Sequence, residues 1–213
     1  MLKNEEFISY LKKLFPTGYC ELKFNSNFEL LVAVIMSAQC TDKRVNMVTE
    51  KLFKQFNTPA DFANMRIEDL ESKIKSCGFY HNKAKHIQEA SKSILQNFNG
   101  IVPENYDDLL SLAGVGRKTA NVVSAVAFNA NVIAVDTHVL RVSRRLGFTD
   151  SKNPIVCEKD LTQRFKTNLA DLHYRMVLFG RYYCKAQKPL CKTCKLKKGC
   201  LNYNKTIQSK NRN

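Results

Sequence analysis

The chain contains no run of eighteen apolar residues, no signal-like apolar segment at its start, no stretch of alternating strand pattern and no acidic residue after Asp171. The first absence excludes a membrane-spanning helix, which needs about 20 consecutive apolar residues. The second is read from the opening MLKNEEFISYLKKLF and points to a compartment where thiols stay reduced, the bacterial cytosol or nucleoid being the expected setting. The third argues against a sheet. No internal repeat or low-complexity linker interrupts the 213 residues, and the closing NYNKTIQSKNRN is polar enough to fray. With 44% apolar residues the chain can bury one large or two small cores.

The acidic deficit selects a class of partner. Lys+Arg 34 against Asp+Glu 19 leaves a net charge of +15, which suits a polyanion. Beyond Asp171 stand Arg175, Arg181, Lys185, Lys188, Lys192, Lys195, Lys197, Lys198, Lys205, Lys210 and Arg212, 11 positive charges in 42 residues. A solvated basic face is the bland reading. A phosphate-binding surface is the sharper one.

Within that basic stretch, Cys184, Cys191, Cys194 and Cys200 form the pattern C-x6-C-x2-C-x5-C across 17 residues. So short a span has little room for its own hydrophobic core and calls for an inorganic one. A structural zinc site usually draws its ligands as two short pairs, whereas only Cys191 and Cys194 are so paired here. An all-thiolate iron-sulfur cluster suits the wider arms. Zinc stays open as the second reading, and disulfides fit a reducing compartment least well. The other four, Cys20, Cys40, Cys77 and Cys157, lie among apolar residues and read as small buried side chains.

Helical periodicity dominates. Phe28, Leu31, Val32, Ile35 and Met36 make one face behind the cap candidates Asn25, Ser26 and Asn27, and Val45, Val48, Leu52, Phe53 and Phe56 make another behind Asp42. Further helices are expected over 3–14, 66–75, 82–97, 106–112, 117–128, 137–145, 155–168 and 172–183. Turn chemistry marks Thr58-Pro59, Cys77-Gly78, Asn99-Gly100, Gly114-Val115-Gly116 and Gly147. The expected fold class is all-α.

One hairpin carries chemistry. In LLSLAGVGRKTA, Gly114 and Gly116 separate a short helix from one beginning near Arg117, whose unpaired N–H groups and positive dipole end can bind a phosphate. Val115 can turn inward and pin the turn. An ordinary helical hairpin explains the glycines equally well when they are taken alone. Lys118 sits in the first turn beside Arg117, at the wrong end of the dipole for a cation. It reads either as a phosphate contact or as an amine whose neutral form attacks carbon. Eighteen residues on, IAVDTHVLRV delivers Asp136 to a helix mouth, where it is an N-cap and can also be a catalytic carboxylate. His138 reads as a packed histidine.

GVGRKTA, VDTHVLRVSRRLG and the cysteine loop occur in this order, and with FELLVAVIMSAQCTD they make the chain resemble the endonuclease III family nearly from end to end. These are helix-hairpin-helix DNA glycosylases and DNA-(apurinic or apyrimidinic site) lyases. The resemblance implies two helical lobes with a DNA-binding cleft between them. One is a central lobe over 22–131 containing the helix-hairpin-helix at about 106–128. The other joins 1–21 to 132–213 and carries a [4Fe-4S] loop at 184–200 with Cys184, Cys191, Cys194 and Cys200 as ligands. It further implies Lys118 as nucleophile and Asp136 as catalytic carboxylate. Double-stranded DNA with damaged bases or abasic sites is the implied partner, bound by a monomer and touched by Gly114, Val115, Gly116, Arg117, Lys195, Lys197 and Lys198. Gln39 resembles the residue that fills the hole left by a flipped nucleotide, and Phe79 in GFYHNKA resembles the wedge. Alternatively Phe79 is a core aromatic and Gln39 a polar residue at a helix end. Three positions depart from the family pattern: Ala113 stands where a proline is common, Cys40 where a small non-sulfur residue is usual, and Phe79 where an aliphatic residue is expected. Adenine-DNA glycosylases are the rival within the superfamily, but they typically lack the lysine and carry a further C-terminal domain. A non-catalytic DNA-binding module is the rival outside it.

Overall fold

The periodic segments fold into twelve α-helices, and no strand occurs among the described residues, 2–210 of the computed structural model, with side chains described through 205. In order they are α1 (Asn4–Leu14), α2 (Asn27–Met36), α3 (Asp42–Leu52), α4 (Pro59–Asn64), α5 (Ile67–Ile74), α6 (Tyr80–Asn97), α7 (Tyr106–Ser111), α8 (Arg117–Ala127), α9 (Thr137–Leu146), α10 (Pro154–Phe165), α11 (Leu169–Tyr182) and α12 (Leu201–Lys210). Two 3-10 turns, Lys75–Cys77 and Lys195–Gly199, complete them. The chain divides into two compact units, Cys20–Ala130 and Met1–Tyr19 with Asn131–Asn213.

In the first of these units α2 is the axis. Its sequence NFELLVAVIM is apolar all round, and every residue from Phe28 to Met36 is buried, with α3, α6 and α8 packed about it. Ser26 caps it, its Oγ accepting the Glu29 N–H at 3.1 Å, and the buried Glu29 carboxylate accepts the Asn25 N–H at 2.6 Å. The helix therefore starts on satisfied donors, with Asn25, Ser26 and Asn27 exposed ahead of its buried length. α6 buries the stripe Ala84, Ile87, Ala90, Ser91 and Ile94, whose spacing of three and four keeps one face on α4 and α5.

The second unit buries one residue set from four helices: Phe7 and Leu11 of α1, Val139 and Val142 of α9, Leu161 and Phe165 of α10, and Leu172, Met176 and Phe179 of α11. Phe148 joins them edge-on, 4.9 Å from Phe7 and 5.4 Å from Phe165 between ring centroids. Arg175 is buried in a bidentate pair with Asp171, 2.8 Å on each arm, and also donates to the Phe15 and Pro16 carbonyls. Its charge is thus structural, and it drops out of the basic surface that the tail composition suggests.

Three stretches depart from the expected helices, and two cysteines from the expected burial. α4 lies where Thr58-Pro59 reads as a turn, because Thr58 and Asp61 form a reciprocal capping box and Pro59 is pre-set for the first helical position. α10 stops at Phe165, and α11 begins at Leu169 instead of 172, because Lys166 and Asn168 both take left-handed φ (60° and 55°). The polar C-terminal stretch is helical as α12 through Lys210, whereas Arg212 lies outside the described residues. Finally, Cys77 and Cys157 are buried as expected, but Cys20 and Cys40 are only half-buried, and all eight cysteines are free.

Candidate active site and metal loop

α8 begins without side-chain help. Its N-cap is Gly116, which has no side chain to cap it, and its first turn holds no acidic residue. Ahead of it, Val115 is buried and its N–H donates to the Leu112 carbonyl at 3.1 Å, so the valine pins the turn inward as its position suggests. The two glycines do different work. Gly114 has φ +75°, and a Cβ there would stand 2.7 Å from His86 Cβ. Gly116 has φ −90° and a Cβ would meet nothing within 4 Å. Gly114→Ala should accordingly cost about 1–3 kcal/mol in a thermal or urea melt, through strain and the clash with α6. Gly116→Ala should stay within about 0.5 kcal/mol of wild type yet weaken binding to duplex DNA, because its methyl would occupy the open approach to the α8 amides.

Arg117 and Lys118 are exposed on the first turn, while Ala120, Asn121, Val123 and Ser124 on the opposite face are buried, α8 packing on α2. A helix whose far face is fixed in a core fixes the backbone from which its first-turn amine extends. Two further positions in this unit stand at left-handed turns. Gln39 follows α2 with φ +54° and is exposed. Phe79 has φ +48°, caps α6 and is 66% exposed, so it is no core aromatic. A bulky residue in that conformation is strained, and an exposed aromatic gains nothing from folding there.

In the second unit, Asp136 is the N-cap of α9: its Oδ1 accepts the Val139 N–H at 2.7 Å. The side chain is half-buried, and Oδ1 alone is used in capping, so Oδ2 remains for another positive group. Two turns of α9 then reach the cysteine loop. Arg141 donates to the Gly180 carbonyl (2.7 Å) and the Cys184 carbonyl (3.2 Å), and its Nη2 lies 3.1 Å from His138 Nδ1. Guanidinium only donates, so Nδ1 accepts and the His138 proton belongs on Nε2. Gly180 permits this closeness, since a Cβ there would lie 2.8 Å from His138 Cβ. Arg145, one turn on, donates to the Lys185 carbonyl (2.6 Å), the Ala186 carbonyl (2.9 Å) and the Cys184 sulfur (3.5 Å). Sequence reasoning gave these two arginines no role. Their i, i+4 spacing on one helix face was the available signal.

Cys184, Cys191, Cys194 and Cys200 all line one apolar pocket, walled by Leu146, Phe179, Tyr183 and Leu190. Burial raises the Cys191 and Cys194 thiols above the usual range, and the neighbouring loop cysteines add to the rise. Four thiols gathered in an apolar pocket beside Arg145 gain from a metal core that takes their negative charge. Among the described residues no three His, Cys, Asp or Glu side chains stand ready to hold a single ion. Around the loop, Lys195 and Lys198 are exposed, but Lys197 turns inward and its Nζ donates to the Lys192 carbonyl at 3.1 Å. No helix among the described residues is long and apolar enough to cross a membrane.

Comparison with known proteins agrees with this geometry. Residues 32–167 match the model of the HhH-GPD superfamily base excision DNA repair proteins. Endonuclease III of Bacillus subtilis (strain 168) is 48% identical over 202 residues, covering 93% of this chain and 92% of that protein. Endonuclease III of Escherichia coli (strain K12) is 42% identical over 199 residues, covering 93% and 94%. The solved structure of a trapped endonuclease III–DNA covalent intermediate superposes with a TM-score of 0.91 at 45% identity, covering 97% of this chain and 100% of that one. A thermostable thymine-DNA glycosylase, at 23% identity and TM-score 0.82, shares the fold. By sequence, by fold and by its turn-and-loop motifs, the chain belongs to the endonuclease III family of the HhH-GPD superfamily.

Proposed function

We propose that this chain is a bifunctional DNA N-glycosylase and AP lyase of base excision repair, which removes oxidised pyrimidines from double-stranded DNA and cuts 3' to the resulting abasic site. The observation that carries the reading is Lys118, an amine on an exposed helix start next to a glycine turn open to a phosphate, in a chain of this family. A backbone-lined phosphate site grips the duplex without reading sequence, as a lesion-searching enzyme requires.

The damaged nucleotide must first leave the stack, because C1' is shielded while the base is paired. Phe79 enters between base steps as the wedge and Gln39 fills the vacated space. Both are exposed on left-handed turns, which supports these roles. Lys118 Nζ, as the neutral amine, attacks C1'. The C1'–N bond breaks and its electron pair leaves with the base. Asp136, through the oxygen not engaged in capping, stabilises the positive charge on the sugar and takes part in proton transfer. Loss of the nitrogen's proton and ring opening give a Schiff base, which acidifies the C2' proton. Its removal expels the 3' phosphate by β-elimination.

The endonuclease III family is known for a [4Fe-4S] cluster. In this chain Cys184, Cys191, Cys194 and Cys200 would hold it, and Arg145 would brace Cys184. When bound, it would cross-link the loop that presents Lys195 and Lys198 to phosphates. The purified protein should be brown and contain about four irons per chain. One zinc per colourless chain would overturn the assignment. Replacing Lys195 and Lys198 together by Gln should lower the slope of log affinity against log salt by about 1 per lysine. An unchanged slope removes these two residues from the DNA surface. The proposed setting is the bacterial cytosol or nucleoid, with the chain acting as a monomer.

The function is tested with a thymine-glycol duplex and an undamaged control. Damaged DNA should be cut and, with borohydride present, captured covalently. Binding without either product would make the chain a DNA-binding module.

A further inference from the structure

Outside the metal loop, Cys40 and Cys77 are two thiols near enough to act on each other electrostatically. Cys77 is 2% exposed in the turn Lys75–Cys77, and Cys40 is half-buried just ahead of α3, which packs on that turn. Both belong to the core built round α2.

The groups facing this pair are cationic. Lys83 of α6 is 4% exposed, and its Nζ donates to the Cys77 carbonyl at 2.8 Å. Arg44 of α3 also acts on Cys77 electrostatically. Burial pushes the Cys77 thiol up to about 11 and holds the Lys83 ammonium below its usual range, while the two sulfurs pull it back up. The Lys83 and Arg44 cations offset part of the cost that burial sets on a Cys77 thiolate. Access distinguishes them, because Cys40 alone is reachable from solvent.

We propose that Cys40 and Cys77 form a reversible disulfide on exposure to a hydroperoxide, and that this bridge switches off lesion capture. The Cys40 thiolate attacks the O–O bond of the peroxide. An S–O bond forms, the O–O bond breaks, and the departing oxygen leaves as water or alcohol after protonation, giving a sulfenic acid. Cys77 sulfur then attacks Cys40 sulfur. The S–S bond forms, the S–O bond breaks, and water carries off the oxygen with the Cys77 proton. Two thiols are oxidised and one peroxide is reduced, and a dithiol reverses the change by exchange.

The consequence for DNA rests on the roles proposed for Gln39 and Phe79. Cys40 adjoins Gln39, and Cys77 is two residues from Phe79, with Gly78 between them at φ +66°. In the proposed roles, Gln39 and Phe79 enter the stack from two separate turns as the nucleotide leaves. A bond of about 2.05 Å between their roots ties each turn to the other and to the core.

The test uses the full-length, metal-loaded protein treated with equimolar hydrogen peroxide, alkylated with iodoacetamide, digested and weighed. The expected product is a peptide pair joined through Cys40 and Cys77, lighter by two hydrogens, cleaved by dithiothreitol and absent from Cys40→Ser and Cys77→Ser. Separate alkylation of both thiols, or sulfinic acid at Cys40 without the joined pair, overturns the proposal. In parallel, borohydride capture of an abasic duplex should be largely lost on oxidation of wild type, regained with dithiothreitol and retained in oxidised Cys40→Ser. Equal loss in Cys40→Ser assigns the effect to the metal loop and overturns the switch, as does undiminished capture by the bridged protein. If reduced wild type never captures the duplex, the proposed function fails while the joined peptide still decides whether the disulfide forms.

Discussion

Replacing Lys118 by Gln should abolish borohydride capture of an abasic duplex and lower base release and strand cleavage by about 10³-fold or more, since no other group takes over the attack on C1'. The fold should be untouched, because Lys118 is exposed and its helix is anchored through Ala120, Val123 and Ser124. DNA affinity should fall by no more than about tenfold, or 1.4 kcal/mol, because the Gly116 turn and the α8 amides remain. Affinity lost in parallel with activity would make Lys118 a phosphate contact. Turnover lost with affinity kept separates the two readings that the sequence leaves open.

Asp136→Asn should lower the rate of base release by about 10²- to 10⁴-fold, measured in single turnovers on a thymine-glycol duplex. Asparagine caps a helix about as well as aspartate, so the 2.7 Å bond to the Val139 N–H has a replacement and the melting temperature should move by less than about 2 °C. Asp136→Ala makes the contrast: it removes charge and cap together, and should cost about 1 kcal/mol in addition to the same kinetic loss. α9 has no acidic residue in its first turn to compensate. An Asn variant with full activity would reduce Asp136 to a structural cap. An Asn variant that unfolds would mean that the carboxylate's charge, not its hydrogen bond, holds the helix mouth.

Much of the fold was legible because burial follows sequence period. The apolar stretch from Phe28 to Met36 became the buried axis, and the α6 stripe reads directly from its i, i+3, i+4 spacing. Failures came where local hydrogen bonding decides. Thr58-Pro59 looks like a turn until Asp61 is seen to complete a capping box, which makes the same residues a helix start. The break at Lys166 and Asn168 depends on two left-handed residues that carry no glycine to announce them.

The site was legible in its separate motifs and less so in what links them. The buried Val115, the exposed amine at 118 and the capping carboxylate at 136 stand as their local sequences suggest. What one-dimensional spacing concealed are contacts across some 40 positions, such as Arg145 to the Cys184–Ala186 backbone. Charge counting also overstated the basic surface, because Arg175 is buried and spent on Asp171. A composition reports how many cations a segment has, whereas burial and pairing decide how many face a phosphate.

The most direct test is to map the covalent adduct. The full-length protein would be reduced with borohydride on a duplex containing one abasic site, digested with nuclease and protease, and the sugar-bearing peptide sequenced by mass spectrometry. The expected mass increment lies on the Lys118 side chain. An adduct on any other lysine or on the chain's amino terminus, with Lys118 unmodified, would contradict the account.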